Sequence, residues 1–410
     1  MSKMRRCAPR WPNWSAMPRR CGCWAPIHSP SSEGAAMTLP WQRERLPAAI
    51  AGLRAYDPGH DLVAWRRRFP GLLAELGSNE TAIGPSPAAL DAARSALASV
   101  YRYPDPLGGD LKRALSRLHG VDSDRIVLGN GSHELLMQLA QAFVPRDGTI
   151  VHSQYGFAVF AIAAAAVGAH AVCVPALPED HASAPFGHDL DAMAAACEAD
   201  TRLLYLANPN NPTGTWFELP ALQHLLATVP ASTLVVVDEA YGEFQPDARS
   251  ASAMNLLAAH PNLVVTRTFS KAYALAGLRV GYALGHPDAM AVLERLRESF
   301  NVNGIALAAA EAALADESHL QKVLAHNERE RERLARGFTA MGLRVWPSRT
   351  NFLLVGFSSS QRSAQIEGRL CERAVIVRPM VGYGLGQCLR ISVGSTHEND
   401  RLLAALEESL

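Results

Sequence analysis

The sequence is poor in lysine and has no long hydrophobic run. Only four of its 410 residues are lysine, although Lys and Arg together number 39, so nearly every basic position is an arginine. No stretch of eighteen consecutive apolar residues occurs, and we therefore expect no membrane span. The formal net charge is zero and the pI is about 7.2, so no basic field indicates binding to nucleic acid.

The seven cysteines show no disulfide pattern. Their number is odd, and Cys173, Cys197, Cys371 and Cys388 lie in apolar stretches typical of reduced, buried thiols. This distribution predicts a reducing compartment, and we expect a cytoplasmic protein. The spacings of cysteine and histidine match no metal-binding motif, so no metal is expected.

Composition and periodicity divide the chain into four parts. Residues 1–36 mix Arg, Pro, Trp and Cys with a single acidic residue, which predicts a disordered extension. Residues 37–87 are expected to join a small domain in space. In residues 88–310 apolar strand-like runs alternate with helical patterns, which indicates a large α/β domain with a mostly parallel sheet. Residues 311–410 contain short strands separated by helices and are typical of a small α+β domain.

Lys271 lies in a setting that suggests chemistry. It follows an apolar strand-like run, residues 263–267, and is accompanied by Thr268, Ser270 and Arg279. An amine forms a Schiff base with an aldehyde and shifts its pKa readily when desolvated, whereas a guanidinium does neither. The two hydroxyls and the guanidinium could hold a phosphate. A lone lysine at such a turn would be a surface residue, so the interpretation depends on the other motifs.

Three further motifs follow apolar strands. Residues 207–214 contain two prolines and a glycine, which force an irregular loop where open α/β sheets bind ligands. The apolar run 234–237 ends at Asp238, with Tyr241 three residues later. That carboxylate could keep a pyridine nitrogen protonated, or it could cap the next helix. Residues 126–134 combine a strand, a glycine-rich turn and a helix start, which predicts an anion site.

An amine, a carboxylate, a phenol, an asparagine and a phosphate cradle together indicate one cofactor, pyridoxal 5'-phosphate. With these motifs the chain resembles the fold-type I pyridoxal-phosphate enzymes, and within them the class II aminotransferases, most closely the histidinol-phosphate aminotransferase family. The resemblance begins at about Tyr56 and includes, in order, further motifs at residues 78–80, 84–87, 102–105, 301–303, 351–352, 377–379 and 389–394. It implies a large domain with a mostly parallel seven-stranded sheet and a small α+β domain.

The resemblance implies cofactor contacts residue by residue. Lys271 would form the Schiff base and Asp238 would pair with the pyridinium nitrogen. Asn211 and Tyr241 would bind the phenolic oxygen, and Tyr155 would stack on the ring. The expected phosphate cradle consists of Gly131, Ser132, Ser270, Arg279 and, from the neighbouring subunit, Tyr103. The active site would then be shared across a homodimer.

Two arginines of the expected small domain, Arg378 and Arg390, are candidates for substrate binding. Guanidinium groups suit bidentate capture of a carboxylate or of a phosphate, and the residues alone leave both open, together with a purely structural ion pair. The resemblance implies that this pair, with Tyr56 of the other subunit, holds the substrate phosphate. Asn211 is expected to contact the substrate as well.

The reaction implied by the resemblance converts L-histidinol phosphate and 2-oxoglutarate into imidazole acetol phosphate and L-glutamate, in histidine biosynthesis. An aromatic amino-acid aminotransferase and a threonine-phosphate decarboxylase share these motifs and stay open. A cofactor-sensing regulator is disfavoured, because the first forty residues are too short and irregular for a DNA-binding domain. The sequence departs from the family at His133, where aspartate is usual, at residues 81–83 and at Phe160, where tyrosine is frequent. No catalytic group is lost.

Overall fold

The computed structural model describes Ile50 and residues 60–410, all within the unit Pro47–Leu410. Tyr56 and the extension predicted at residues 1–36 therefore lie outside the described residues. The strands are β1 (Ala74–Glu75), β2 (Ile126–Gly129), β3 (Thr149–Ser153), β4 (His170–Val174), β5 (Thr201–Ala207), β6 (Leu234–Asp238), β7 (Leu263–Thr268), β8 (Gly281–Leu284), β9 (Arg344–Val345), β10 (Phe352–Gly356), β11 (Val375–Ile376), β12 (Arg378–Pro379) and β13 (Cys388–Ser392).

The α-helices are α1 (Leu62–Arg68), α2 (Pro87–Ala96), α3 (Gly109–His119), α4 (Ser132–Phe143), α5 (Val159–Val167), α6 (Leu190–Ala195), α7 (Leu219–Thr228), α8 (Pro287–Leu296), α9 (Gly304–Ala315), α10 (Glu317–Ala340), α11 (Ser360–Glu372) and α12 (Thr396–Glu407). The longest, α10, carries charged side chains along its whole length. Among the helices described here, none is long and apolar enough to cross a membrane.

The largest sheet has seven strands in the order β2-β8-β7-β6-β5-β3-β4. Strands β3 to β7 are parallel to their sheet neighbours except where β7 meets β8, which runs antiparallel to both β7 and β2. The mostly parallel seven-stranded sheet expected from the sequence is confirmed.

Both faces of the central strands of this sheet are buried, which explains their continuous apolar runs. Along β6, Val235 and Val237 belong to one hydrophobic cluster, whereas Leu234 and Val236 belong to a second cluster. Since successive strand residues point to opposite faces, two separate cores require an apolar residue at every position. The parallel strands consequently end at one shared edge, where polar loops begin.

The C-terminal part contains a four-stranded antiparallel sheet in the order β12-β13-β10-β9. Helices α10, α11 and α12 contribute Phe338, Leu370 and Leu402 to the hydrophobic cluster on this sheet. Strand β1 pairs in parallel with β11, which brings Ala74 beside Val375. The expected domain limits stay a prediction. Helix α9 continues across the expected limit between residues 310 and 311.

Candidate active site

A cavity of about 210 Å³ opens at the carboxyl edge of the seven-stranded sheet. Loops that follow β2, β5, β6 and β7 form one side, and strands β12 and β13 contribute to the other. Nine of the residues predicted from the sequence line it: Ser132, Asn211, Asp238, Tyr241, Ser270, Lys271, Arg279, Arg378 and Arg390. The fold thus brings together side chains that are far apart in the sequence. Ser132 and Arg390, which both line the cavity, are 258 positions apart.

The amine of Lys271 lies at the centre of this set. Its Nζ donates to the carbonyl oxygens of Ser78 and Asn79 at 3.3 and 3.2 Å. Nζ also lies 5.7 Å from the ring centroid of Tyr241. Burial, and secondarily the positive charge of Arg390, lower the pKa of Lys271 to about 8. Near neutral pH a much larger fraction of this amine is therefore neutral and nucleophilic than of an ordinary lysine, although the protonated form still predominates.

Asp238 is the last residue of β6 and is only 4% exposed. Its Oδ1 accepts a hydrogen bond from Oγ1 of Thr266 on the adjacent strand at 2.8 Å. Burial nevertheless raises the pKa of Asp238 to about 7, since the hydrogen bond from Thr266 offsets the desolvation only in part. The next helical turn, Gly242–Phe244, has no side-chain cap, so the capping role considered for this carboxylate is not seen.

Tyr241 is held by Asn79, which the sequence reasoning did not single out as a site residue. Nδ2 of Asn79 donates to the phenol oxygen at 2.8 Å, and the backbone amide of Asn79 donates to Oγ of Ser392 at 2.9 Å. Asn79 adopts a left-handed φ of 55°, a conformation that asparagine tolerates better than most residues. Burial raises the pKa of Tyr241 to about 12, so the phenol keeps its proton and remains a hydrogen-bond donor.

The expected phosphate cradle is assembled from the loop after β7 and the start of α4. Nη1 of Arg279 donates to Oγ of Ser270 at 3.2 Å, and Oγ1 of Thr268 donates to the same oxygen at 3.0 Å. Ser132 is the first residue of α4, and the capping residue Gly131 offers no side chain to the first amides. Those amides and the helix dipole therefore favour an anion at this end of the cavity.

Gly131 leaves the space that the cradle needs. Its φ is +82°, and a Cβ at this position would collide with Nη2 of Arg279. We expect Gly131→Ala to weaken cofactor binding by about tenfold or more, because the guanidinium must move away and the left-handed backbone is strained. Spectroscopic titration of the cofactor measures this. Gly120→Ala is the matched control, since Gly120 has φ +65° with open space around it and lies outside the cavity. Equal losses in both variants would contradict the steric explanation.

Arg390 connects the two sides of the cavity. Its Nη1 donates to Oδ1 of Asn211 at 2.6 Å, and its Nη2 donates to the carbonyl of Gly77 at 2.8 Å. Arg378 on β12 is the direct cross-strand partner of Arg390 on β13. Two guanidinium groups in register at the cavity wall suit bidentate capture of an anionic ligand.

Two of the predicted tyrosines, Tyr155 and Tyr103, do not line the cavity. Tyr155 packs edge-on against Phe186, with ring centroids 5.5 Å apart, and Phe157 lines the cavity instead. Tyr103 is 82% exposed and stacks on Phe300 of its own chain at 4.6 Å. Tyr56 lies outside the described residues. The roles assigned to all three stay predictions.

Phe160 and His133, two of the departures from the family pattern, lie in different environments. Phe160 is fully buried and stacks on Tyr205 with ring centroids 4.7 Å apart, so it belongs to the core. His133 lines the cavity at the second position of α4. Burial, and secondarily the charge of Arg279, lower the pKa of His133, which favours the neutral imidazole.

Comparison with known proteins identifies the family. The model for aminotransferases of class I and II matches residues 73–406. Histidinol-phosphate aminotransferase 1 of Thiobacillus denitrificans is 44% identical over 368 residues, which cover 89% of this chain and 93% of that protein. Histidinol-phosphate aminotransferase 2 of Pseudomonas aeruginosa is 45% identical over 364 residues, which cover 88% of this chain and 96% of that protein.

A solved structure agrees with these relatives. The crystal structure of histidinol-phosphate aminotransferase from Sinorhizobium meliloti, in complex with pyridoxal-5'-phosphate, matches with a TM-score of 0.79 and 34% identity. The match covers 89% of this chain and 97% of that chain. The chain therefore belongs to the class I and II aminotransferases and, among them, to the histidinol-phosphate aminotransferase family.

Proposed function

We propose that the protein is a pyridoxal-phosphate-dependent aminotransferase that converts L-histidinol phosphate and 2-oxoglutarate into imidazole acetol phosphate and L-glutamate, a step of histidine biosynthesis. One observation carries this proposal. A single cavity contains a buried amine of lowered pKa, a buried carboxylate at a strand end and a phosphate cradle. Relatives of 44 and 45% identity with that activity in their names support the choice of substrate.

The residues of the cavity fit the cofactor at both ends. Ser270, Arg279 and the uncapped start of α4 offer donors to a phosphate, and a Cβ at Gly131 would remove that space. Asp238 offers a carboxylate that burial destabilises unless a positive group faces it. When bound, the cofactor supplies an aldehyde for condensation with amines and a ring that withdraws electrons from the adjoining carbon.

Each side chain then has a defined task. Lys271 would supply the amine that holds the aldehyde, and its Nζ would accept the proton from the substrate Cα. Asp238 holds a proton on the ring nitrogen through its negative charge. Tyr241 and Asn211 would donate hydrogen bonds to the phenolic oxygen of the cofactor. Asn79 fixes the position of the Tyr241 side chain. These roles rest on the cavity geometry and on the family pattern together.

Arg378 and Arg390 hold the anionic end of the substrate. L-Histidinol phosphate carries an alcohol phosphate and no α-carboxylate, so in the first half-reaction the arginine pair serves the phosphate. In the second half-reaction the same pair accepts a carboxylate of 2-oxoglutarate. Bidentate guanidinium groups suit both anions, which accounts for one site that binds two different substrates.

Parallel assays of the purified protein test the choice of substrate. We expect kcat/KM for L-histidinol phosphate to exceed that for aromatic amino acids by about a hundredfold or more, because their α-carboxylate offers the arginine pair less negative charge and fewer acceptor oxygens than an alcohol phosphate does. Threonine phosphate should give no decarboxylation above the uncatalysed rate. A comparable or higher kcat/KM with an aromatic amino acid, or release of carbon dioxide from threonine phosphate, would exclude the proposed substrate.

We propose further that the protein acts as a homodimer in the cytoplasm. Four neighbouring apolar residues are exposed in the single chain: Val100, Tyr101, Tyr103 and Leu107, with exposed fractions of 63, 76, 82 and 59%. An exposed apolar cluster of this kind is typical of an interaction surface. Tyr103 of one subunit would then reach the phosphate cradle of the other. The described cysteines are free thiols, which supports a reducing compartment; Cys371 and Cys388 are buried as expected, whereas Cys197 is half-buried and Cys173 is exposed.

Mixed dimers test the shared site. Tyr103→Phe subunits combined with Lys271→Ala subunits form one site with an intact lysine and the partner's intact tyrosine, while the other site carries both defects. We expect hybrids to recover the cofactor affinity and the rate per intact lysine that Tyr103→Phe homodimers lack. The measurement is cofactor titration and turnover on hybrids confirmed by mass. If the hybrid binds cofactor no better than the Tyr103→Phe homodimer, Tyr103 does not serve the partner.

A further inference from the structure

Three side chains of metal-ligand type converge outside the active-site cavity. Nε2 of His60 lies 2.5 Å from Oε1 of Glu367. Sγ of Cys371 lies 3.2 Å from the same carboxylate oxygen and 3.8 Å from the imidazole nitrogen. The spacings of the sequence predicted no metal site, because His60 and Cys371 are 311 residues apart and only the fold brings them together.

Local structure brings the side chains of His60, Glu367 and Cys371 close together. Glu367 and Cys371 are four positions apart on α11 and therefore lie on one face of the helix. Both belong to its C-terminal half, where the negative end of the helix dipole favours a cation. His60 comes two residues before α1 and packs edge-on against Trp65, with ring centroids 6.2 Å apart. The imidazole is thus oriented by packing.

The donor set selects the metal. Imidazole nitrogen, carboxylate oxygen and thiolate sulfur are the three ligand types of zinc, which binds them tetrahedrally at about 2.0–2.3 Å. Ligand atoms of such a site lie roughly 3.5 Å apart. Two of the three separations in the cluster are close to that value, and the His60–Glu367 contact lengthens when an ion replaces the proton between them. Magnesium and calcium prefer oxygen ligands alone.

We propose that His60, Glu367 and Cys371 bind one zinc ion, with a water molecule as the fourth ligand. Cys371 is buried, whereas the side chains of His60 and Glu367 are 25 and 16% exposed, so the site is open to solvent on one side. On binding, the thiol of Cys371 loses its proton to solvent, as does the imidazole if it is protonated. No electron transfer occurs. The ion fastens the chain before α1 to helix α11.

Metal analysis of the purified, cofactor-loaded protein tests the site. After treatment with a chelator and addition of zinc, we expect one zinc ion per chain and a higher unfolding temperature than without zinc. Replacement by cobalt should produce the absorption band of a cobalt–thiolate bond. Cys371→Ser should lose that band, and Cys371→Ser and Glu367→Gln should bind zinc at least about tenfold more weakly.

Two further variants keep the test decisive. Cys388→Ser is the matched control, because Cys388 is also a buried thiol but belongs to a hydrophobic cluster without these partners. It should bind zinc like the wild type. His60→Asn changes a partly exposed side chain and should weaken zinc binding without preventing folding. Absence of stoichiometric zinc from the wild type, or equal zinc affinity in the wild type and in His60→Asn, would overturn the proposal.

Discussion

Lys271→Ala is expected to abolish the covalent attachment of the cofactor and to reduce turnover by about three orders of magnitude or more. The variant lacks the amine that we propose to bind the aldehyde and to move the substrate proton. Among the described lysines, only Lys271 lines the cavity, so no neighbouring amine replaces it. Absorbance of the purified protein in the violet region, together with single-turnover kinetics, measures both losses.

Two further lysine variants separate chemistry from charge. Lys112→Ala is the control, because the amine of Lys112 pairs with Glu294 at 2.5 Å outside this cavity, and its loss should leave the absorbance unchanged. Lys271→Arg retains a positive charge but provides no nucleophilic amine, so it should resemble Lys271→Ala. Retained violet absorbance in Lys271→Ala would show that another group binds the aldehyde.

The fold was predictable where a strand is buried on both faces. The run from Leu234 to Val237 is apolar at every position because the two hydrophobic clusters lie on opposite sides of β6. The order of the strands was not predictable in the same way. Strand β8 lies antiparallel between β2 and β7, and this insertion depends on packing between segments more than 150 residues apart.

The site was predictable where a motif follows directly on a strand. Asp238 ends β6, and Asn211 and Lys271 lie in the loops after β5 and β7, at the carboxyl edge where parallel strands bring their ends together. Contacts between distant segments left no local signal. The hydrogen bond from Asn79 to Tyr241 joins residues 162 positions apart, so the motif at residues 78–80 could be noted but its partner could not.

Arg267 illustrates the same limit. It is the last residue of the run 263–267 and carried no assigned role, yet its side chain is buried within β7. Its Nη2 lies 2.6 Å from Oε2 of Glu239, and its Nη1 lies 3.0 Å from Oε1 of Glu243. A buried arginine requires such partners, but the sequence does not show which carboxylates the fold will supply.

Asp238→Asn is expected to slow transamination by several orders of magnitude while cofactor still binds. An amide carries no negative charge and cannot hold a proton on the ring nitrogen, so the ring withdraws electrons less strongly. Asparagine has nearly the same shape, and its carbonyl oxygen can still accept the hydrogen bond from Thr266. Single-turnover rates at saturating substrate measure the effect. Near-normal rates would mean that the carboxylate has only a structural role.

The same substitution should stabilise the protein when no cofactor is bound. The pKa of Asp238 is raised from its ordinary value of 3.8 to about 7, so ionisation of this carboxyl group disfavours the folded state. The resulting loss of stability begins as the pH rises above about 4, is complete above about 7 and amounts to about 4 kcal/mol at most. Asparagine does not ionise and avoids this loss.

Unfolding measurements on cofactor-free wild type and Asp238→Asn at two pH values decide between a functional and a structural carboxylate. At pH 8 the variant should have the higher free energy of unfolding, and at pH 5 the difference should shrink, since the wild-type carboxyl group is then largely protonated. Bound cofactor should reverse the order, because its positive ring nitrogen stabilises the ionised carboxylate and not the amide. A wild type that is more stable than the variant without cofactor at pH 8 would show that Asp238 stabilises the fold by itself. The expected reversal instead identifies a group whose charge is unfavourable until the cofactor binds.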